Sequence, residues 1–173
     1  MRLGSSLKRQ IKLIVRCVPT GAHVQKRLLI EGGDTPRITV TEFNNGISGY
    51  FDCPSENPDY RTYTNFISVS FLGTVFYQQG KASLDMKVHC LKLQEMELDK
   101  YLGLFLTTIV RRSISHSEYS DQISSTVLPN IQIKLPSDVA GEPDFEYMRQ
   151  YMKRIEVHSK NTLSCFQKIV ALS

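Results

Sequence analysis

The sequence predicts an α/β (α+β) fold, in which one domain with a mixed, mainly antiparallel sheet plus helices is followed by a long C-terminal helix. Short β-branched and aromatic runs separated by polar turns fill the middle of the chain, as is typical of antiparallel strands. Two longer segments nearer the C-terminus have the length and periodicity of helices. The length of 173 residues, with 41% hydrophobic and 22% charged residues, fits a soluble globular domain with an appendage.

Four runs rich in β-branched and aromatic residues predict the strands of the sheet. Between the runs lie polar, turn-forming stretches at residues 44–46 and 52–65, the second of which contains two prolines. Long polar loops on a sheet are common places for binding residues. The predicted strands are Arg37–Phe43, Phe66–Leu72, Thr74–Gln79 and Lys87–Leu93.

Two helices are predicted after these strands. Leu98–Arg112 has the composition of a buried helix and ends in a basic pair that suits the helix dipole. The last helix is expected to begin at Asp144, a suitable N-cap, and to run to about Val170. A helix of about 26 residues is roughly 40 Å long, so part of it should protrude from a domain of this size. We expect the domain to span residues 1–140 and the helical region residues 141–173.

Apolar residues recur along the last helix at alternating steps of four and three, with Ser159 and Thr162 between them. This is a heptad pattern with a polar middle. The stripe either packs on its own domain or pairs with another helix, and the length of the helix favours a partner. The stripe consists of Met148, Met152, Ile155, Phe166 and Ile169.

Basic residues are concentrated at the start of the chain. The first 30 residues hold seven basic side chains and no acid, so they carry +7, whereas the remainder carries −3, which gives the net charge of +4. A local positive field suits a polyanion such as nucleic acid, because lysine and arginine displace the counterions of phosphates. A solvated basic segment without a partner is the alternative.

Membrane, secreted and metal-binding classes are not indicated. No window approaches about 18 uninterrupted apolar residues, so we expect no membrane partner. The start lacks the pattern of a signal peptide, although an arginine-rich organellar presequence stays an alternative. The four cysteines are scattered without a CxxC pair, which fits reduced thiols in a cytoplasmic protein. We therefore expect no cofactor and no metal.

An enzymatic alternative arises from Pro58-Asp59 followed by Asp85-Met86-Lys87, which matches the loose pattern PD…(D/E)xK of Mg²⁺-dependent nucleases. In such nucleases two carboxylates hold the metal and the lysine polarises the attacking water. The pattern is short, and Asp59 lies in a proline-rich loop instead of a strand. A third hypothesis is a scaffold that assembles through its last helix without binding DNA.

Several segments together resemble the target recognition domain of type I restriction-modification specificity (S) subunits. The resemblance covers about residues 30 to 160 as a set of dispersed short motifs. These motifs are Asp34–Gly49 (DTPRITVTEFNNGISG), Phe66–Val69 (FISV), Gly73–Tyr77 (GTVFY), Ile131–Pro136 (IQIKLP) and Gly141–Met148 (GEPDFEYM).

This resemblance implies a DNA-binding module of a bacterial restriction system, of α/β type and without catalytic activity. Such a module reads one half of a bipartite site in double-stranded DNA for a separate DNA adenine methyltransferase (modification) subunit. In the family, two recognition domains are joined by two long antiparallel helices. One domain and one helix are present here, so we expect either a homodimer through the C-terminal helix or a fragment. The family's usual Trp-containing first strand is missing, which leaves residues 1–25 without an assigned role.

The loops supply side chains suited to reading DNA. Asparagine and glutamine can bond bidentately to adenine, and arginine or lysine to guanine. A tight turn is an alternative role for Asn44-Asn45-Gly46, and Arg111-Arg112 could simply cap a helix. Lys81, beside Gly80, is the strongest candidate contact. The expected base-reading residues are Asn44, Asn45, Arg61, Tyr63, Asn65, Gln78, Gln79 and Lys81, with Arg37, Arg111 and Arg112 on phosphates.

Overall fold

The structure is a computed structural model that describes residues 6–10, 15–18, 24–54, 57–115 and 122–170. These residues form eight strands and two α-helices, with short 3₁₀ turns between some of them. The elements in chain order are β1 Ser6–Gln10, β2 Val15–Val18, β3 Ile30–Ile38, β4 Ile47–Asp52, β5 Thr62–Ser70, β6 Val75–Leu84, β7 Val88–Leu93, α1 Lys100–Ser115, β8 Gln132–Pro136 and α2 Phe145–Val170.

Six strands form one sheet in the order β2-β7-β5-β6-β3-β4, and β1 pairs with β8 in a separate two-stranded sheet. Neighbouring strands are antiparallel except for β3 and β6, which run parallel through Arg37 and Ile38 opposite Ser83 and Leu84. The sheet is therefore mixed and mainly antiparallel, which confirms the predicted fold class.

Helix α1 covers one face of the sheet and forms the main hydrophobic core with it. Leu102, Leu106 and Val110, each four residues after the last, point into this core and are almost completely buried. Gly103 allows the close approach of the helix, because a Cβ there would lie 2.3 Å from the ring of Tyr77 on β6. A second cluster contains Ile38, Phe66 and Leu84.

The two helices were predicted almost to their observed ends, whereas the first predicted strand needs correction. Residues 39–43 of the expected strand Arg37–Phe43 are irregular, and β3 instead runs back to Ile30. The composition favoured a strand over 39–43, but the chain there must leave the sheet to reach the left-handed turn that precedes β4. The short strands β4 and β8 were not predicted.

Helix α2 begins against the domain and then projects from it. Met148 is completely buried in the main core, whereas residues 157–168 are all exposed. The prediction that Met148 belongs to a partner-facing stripe is therefore corrected, because its side chain packs on its own domain. Asp144 caps the helix, accepting a hydrogen bond of 2.8 Å from the Tyr147 amide, as expected. No helix in the described part of the chain could span a membrane.

Candidate nucleic-acid interface

A tight turn at Asn44–Gly46 joins β3 to β4 and rests on the middle of β6. Asn44, Asn45 and Gly46 all have positive φ, which asparagine and glycine tolerate better than other residues. The side-chain amide of Asn45 donates to Tyr77 O at 3.1 Å and to Gln78 Oε1 at 3.2 Å. In this structure the turn role, raised as an alternative for these asparagines, is the observed one.

Gln78, on β6 beneath the turn, forms the other part of this hydrogen-bond network, and its side chain is 97% buried. Its Nε2 donates to Asn45 O at 2.9 Å and to Ser68 Oγ at 3.0 Å. The prediction that Gln78 reads a base is corrected, because its amide is buried and holds the turn onto the sheet. Asn44 stays exposed and donates only a long bond of 3.4 Å to Ile47 O.

Arg37 also lies inside the protein instead of on its surface. Its guanidinium donates to Asp85 Oδ2 at 2.9 Å and to Val24 O at 3.1 Å, and the side chain is 3% exposed. The prediction that Arg37 binds a phosphate is therefore corrected. The neighbouring Arg61 donates from Nη2 to Asp85 O at 2.6 Å, and partial burial lowers its pKa.

A β-bulge between β5 and β6 lies where the two strands pass Asn65 and Gly80. The register shifts between Thr64 and Phe66, and Asn65 and Gly80 both have positive φ. Asn65 Oδ1 accepts a hydrogen bond of 2.9 Å from the Gly80 amide, so the asparagine side chain stabilises the bulge itself. Bulges bend a strand and redirect its side chains, and they are common beside functional sites.

Gln79 and Lys81 flank the bulge, and both side chains are exposed. Neither forms a hydrogen bond or ion pair with the described residues. In a regular strand, residues two apart point to the same face of the sheet. Gln79 and Lys81 instead line two different clefts. Gln79 lines a cleft of about 420 Å³, here called the amide cleft, between β6, the β3–β4 hairpin and α1. Its lining consists of Pro36, Asn45, Ile47, Tyr50, Tyr77, Gln78, Gln79, Ala82, Lys100 and Leu104.

Lys81 lines a second and wider cleft of about 830 Å³ on the other side of the hairpin, here called the lysine cleft. Asn57, Tyr60 and Thr35 supply further polar groups there, and Tyr60 is held by a hydrogen bond of 2.9 Å to Phe51 O. Asp52 adds one carboxylate to the lining of this cleft.

The remaining sequence candidates lie outside these clefts. Tyr63 is half-buried and packs edge-on against Phe66, with ring centroids 5.9 Å apart. Arg111 and Arg112 are exposed in the last turns of α1. The Arg111 guanidinium donates to Val75 O and lies 5.5 Å from the centre of the Phe76 ring, so it is already fixed against β6.

The residues of the nuclease pattern are engaged in other interactions. The Asp85 carboxylate pairs with Arg37 and accepts a hydrogen bond of 2.7 Å from the Met86 amide. The Lys87 ammonium lies 4.5 Å from the centre of the Phe71 ring. Asp59 is exposed in its loop. Nothing in this arrangement supports the nuclease hypothesis.

Two ionic contacts fix the first half of α2 to the start of α1. Asp99 caps α1 by accepting hydrogen bonds from the Tyr101 and Leu102 amides and also pairs with Arg149. Glu156 pairs with Lys100 at 2.9 Å and with Lys160 at 3.0 Å. The hydrogen bonds from Lys100, Lys160 and Tyr101 lower the pKa of Glu156 to about 2. These contacts hold the part of α2 that lies against the domain.

Ile155 and Phe166, expected on the partner-facing stripe, are exposed by 41% and 61%. Met152 is half-buried, and the side chain of Ile169 lies outside the described residues. Tyr147 and Tyr151 stack with ring centroids 6.2 Å apart, and the Tyr151 ring also packs edge-on against Phe105 of α1. The helix therefore carries unpaired apolar surface beyond its contact with α1.

The pattern described as "Type I restriction modification DNA specificity domain" matches residues 14–164 of the chain. The chain belongs to this family. It is 31% identical over 127 residues to the "Type II restriction enzyme BgcI specificity subunit S.BcgI" of Heyndrickxia coagulans, an alignment that covers 72% of this chain and 36% of that protein.

Solved structures share the fold of this specificity domain at low sequence identity. The S subunit of a type I restriction-modification system from M. genitalium gives a TM-score of 0.65 at 17% identity, covering 96% of this chain and 42% of that one. The HsdS subunit from Thermoanaerobacter tengcongensis gives 0.58 at 12% identity, with coverages of 88% and 38%. The chain thus spans well under half the length of the relatives it matches.

Sequence reasoning missed several groups that border the clefts of this specificity domain. Tyr50, which is half exposed in the amide cleft, lies on β4, a strand that was not predicted. Asn57, in the loop of residues 52–65, was not among the expected DNA contacts, whereas it lines the lysine cleft. Gly80 and Asn65 together were the available signal, because an isolated glycine within a strand pattern often marks a bulge.

Proposed function

We propose that this chain is a DNA sequence-recognition module of a type I-like restriction-modification system. It reads one half-site in double-stranded DNA and has no chemistry of its own. The observation that carries this proposal is the family match over residues 14–164, in which the matched family is named for DNA specificity. The same function places the protein in the cytoplasm, with its DNA.

The open side chains of the bulge support this proposal. Gln79 and Lys81 present an amide and an ammonium group that no described residue engages, and both can reach an external ligand. Amide and ammonium groups are the types that bind base edges and phosphates. Asn44 and Arg112 add further exposed polar groups, whereas Arg37 and Gln78 serve the fold.

The proposed partner is a separate DNA adenine methyltransferase (modification) subunit. The family is described by its DNA specificity. A solved structure described by "complex assembly" of the type I R-M system contains a chain of similar fold, with a TM-score of 0.66 at 11% identity over 98% of this chain and 42% of that one. A recognition module without chemistry needs such a subunit to act on the DNA that it selects.

The proposed surface for assembly is the projecting half of α2. Phe166 and Leu163 are exposed there although they are apolar, and Ile155 is exposed just before it. Exposed apolar groups on a helix at heptad spacing favour pairing with another helix. A homodimer through α2 would present two recognition domains, and a twofold axis would then suit a palindromic site.

The DNA proposal is tested by titrating a duplex library with the chain at several salt concentrations. We expect log K to fall linearly with log salt, with a slope of about −0.9 for each phosphate contacted. Binding that is absent, or that ignores salt, would contradict DNA recognition. Incubation with supercoiled plasmid and Mg²⁺ should leave the DNA intact, whereas cleavage abolished by Asp85→Ala would favour the nuclease alternative.

The assembly proposal is tested by light scattering of Phe166→Asp and Ile155→Asp. We expect both variants to stay folded but to lose the assembled mass, because a carboxylate would be buried in the helix pair. Ser164→Asp is the matched control, because Ser164 is exposed on the same half of the helix but lies on the side opposite the stripe. A mass that the Phe166 and Ile155 variants leave unchanged would exclude pairing through this stripe.

A further inference from the structure

Gln78 and Gln79 are adjacent glutamines with opposite environments. Gln78 is 97% buried, and its side-chain amide donates hydrogen bonds to Asn45 O and Ser68 Oγ. Gln79 is exposed, and its side chain forms no hydrogen bond with the described residues. Successive side chains of a strand point to opposite faces of the sheet, so the two glutamines diverge, and the register with β5 shifts just after Gln79. Gln79 therefore keeps both its donor and its acceptor available.

The amide cleft gives Gln79 a defined position. The backbone beside it is held by the hydrogen bond of 2.9 Å from the Gly80 amide to Asn65 Oδ1. On the side before it, Gln78 is fixed to the Asn45 turn. Because the strand on both sides is fixed, binding would have to order only the side chain of Gln79 and not the backbone that carries it.

The other polar groups of the cleft are already occupied. The amides of Asn45 and Gln78 bond to each other and to the sheet, and the Lys100 ammonium pairs with Glu156. Among the described residues that line it, none carries a carboxylate, so the cleft does not repel DNA. Tyr50, half exposed, contributes an aromatic wall. Gln79 is thus the amide of this cleft whose bonding capacity stays unused.

We propose that Gln79 is the adenine-reading residue of this domain. A glutamine amide can accept a hydrogen bond from adenine N6 and donate one to N7, a pair that other bases do not offer in the major groove. This inference rests on the proposed function, because it requires that the chain bind duplex DNA. It assigns one side chain of the recognition surface to one base of the half-site.

The experiment is selection of duplexes from a random library by the wild-type chain, Gln79→Glu and Gln79→Ala. The wild-type chain should enrich adenine at one fixed position of the selected sequence. Gln79→Glu should change that position to cytosine, because a carboxylate accepts from cytosine N4. Gln79→Ala should lose the preference there by about 5- to 150-fold and keep the other positions.

Gln132→Glu is the matched control, because Gln132 is an exposed glutamine on β8 in the separate two-stranded sheet. It should select the wild-type sequence. A Gln79→Glu protein that binds DNA with normal salt dependence and selects the wild-type sequence overturns the adenine assignment alone. A wild-type chain that enriches no sequence and binds no DNA overturns the proposed function and this inference with it. Thermal unfolding of each variant should match the wild type, since the Gln79 side chain forms no hydrogen bond or ion pair with the described residues.

Discussion

Two neighbouring regions of β6 use the same kinds of side chain for different purposes. The first is the buried network of Asn45, Gln78 and Ser68, which fixes the β3–β4 turn to the sheet. The second is the bulge at Gly80, where Gln79 and Lys81 remain exposed. A buried polar group must find hydrogen-bond partners inside the protein, whereas an exposed one keeps its capacity for a ligand. The difference separates residues that build this specificity domain from those that we propose to read DNA.

Among the buried polar residues, substitution of Arg37 is expected to lower the free energy of unfolding most. Arg37→Met leaves Asp85 without its ionic partner, and breaking a buried pair costs about 3 kcal/mol at the lower end of the usual range, since Asp85 is partly exposed. Urea unfolding should show this loss. The double variant Arg37→Met with Asp85→Asn should recover part of it. A single variant as stable as the wild type would mean that this pair does not stabilise the fold.

A smaller loss of stability is expected at Gln78. Gln78→Ala removes the hydrogen bonds to Asn45 O and Ser68 Oγ and leaves those groups unsatisfied, at a cost of about 1–3 kcal/mol. Gln79→Ala is the adjacent control and should unfold like the wild type. Equal stability of the two variants would contradict the claim that Gln78 stabilises the fold and Gln79 does not.

The buried residue His89 should make the stability of the fold depend on pH. Its ring is buried and bonded to Ile123 O at 2.9 Å, and burial lowers its pKa below the ordinary value of 6.5. The folded state therefore binds the proton less well than the unfolded state. We expect stability to be full above pH 6.5 and to fall as the pH drops through the folded pKa. The variant His89→Gln should show a flatter profile in urea unfolding between pH 7 and 5, and an equally steep profile would contradict this role.

Lys81→Ala should leave stability unchanged and weaken DNA binding. If Lys81 contacts a phosphate, the variant binds all sequences more weakly and the slope of log K against log salt decreases by about 1. Lys134→Ala, an exposed lysine on β8, is the control and should change the slope less. An unchanged slope for Lys81→Ala would exclude a phosphate contact by this residue.

The sequence was sufficient for the features that depend on local periodicity. The predicted helices correspond to Lys100–Ser115 and Phe145–Val170, because their apolar spacing and the Asp144 cap are local signals. The sequence also identified Lys81 beside Gly80 as a candidate contact. The domain division at residue 140 stays a prediction.

Tertiary contacts decided the features that the sequence could not predict. The sequence predicts Arg37 as a phosphate ligand, but its guanidinium pairs with Asp85, which lies 48 residues away in the sequence. Met148 fitted a partner-facing heptad, but α1 and β8 supply the surface that covers it. Gln78 and Gln79 cannot be told apart by residue type, because the group that bonds to Gln78 is the Asn45 turn, 33 residues away in the sequence.

The most direct test of DNA reading by the bulge is the specificity ratio of the double variant Gln79→Ala with Lys81→Ala. This ratio is the affinity for the selected duplex divided by that for a scrambled duplex, both measured at one salt concentration. We predict that the ratio of the double variant falls towards 1 while its thermal unfolding stays that of the wild type. A double variant that is folded and keeps the wild-type ratio would contradict recognition through these residues.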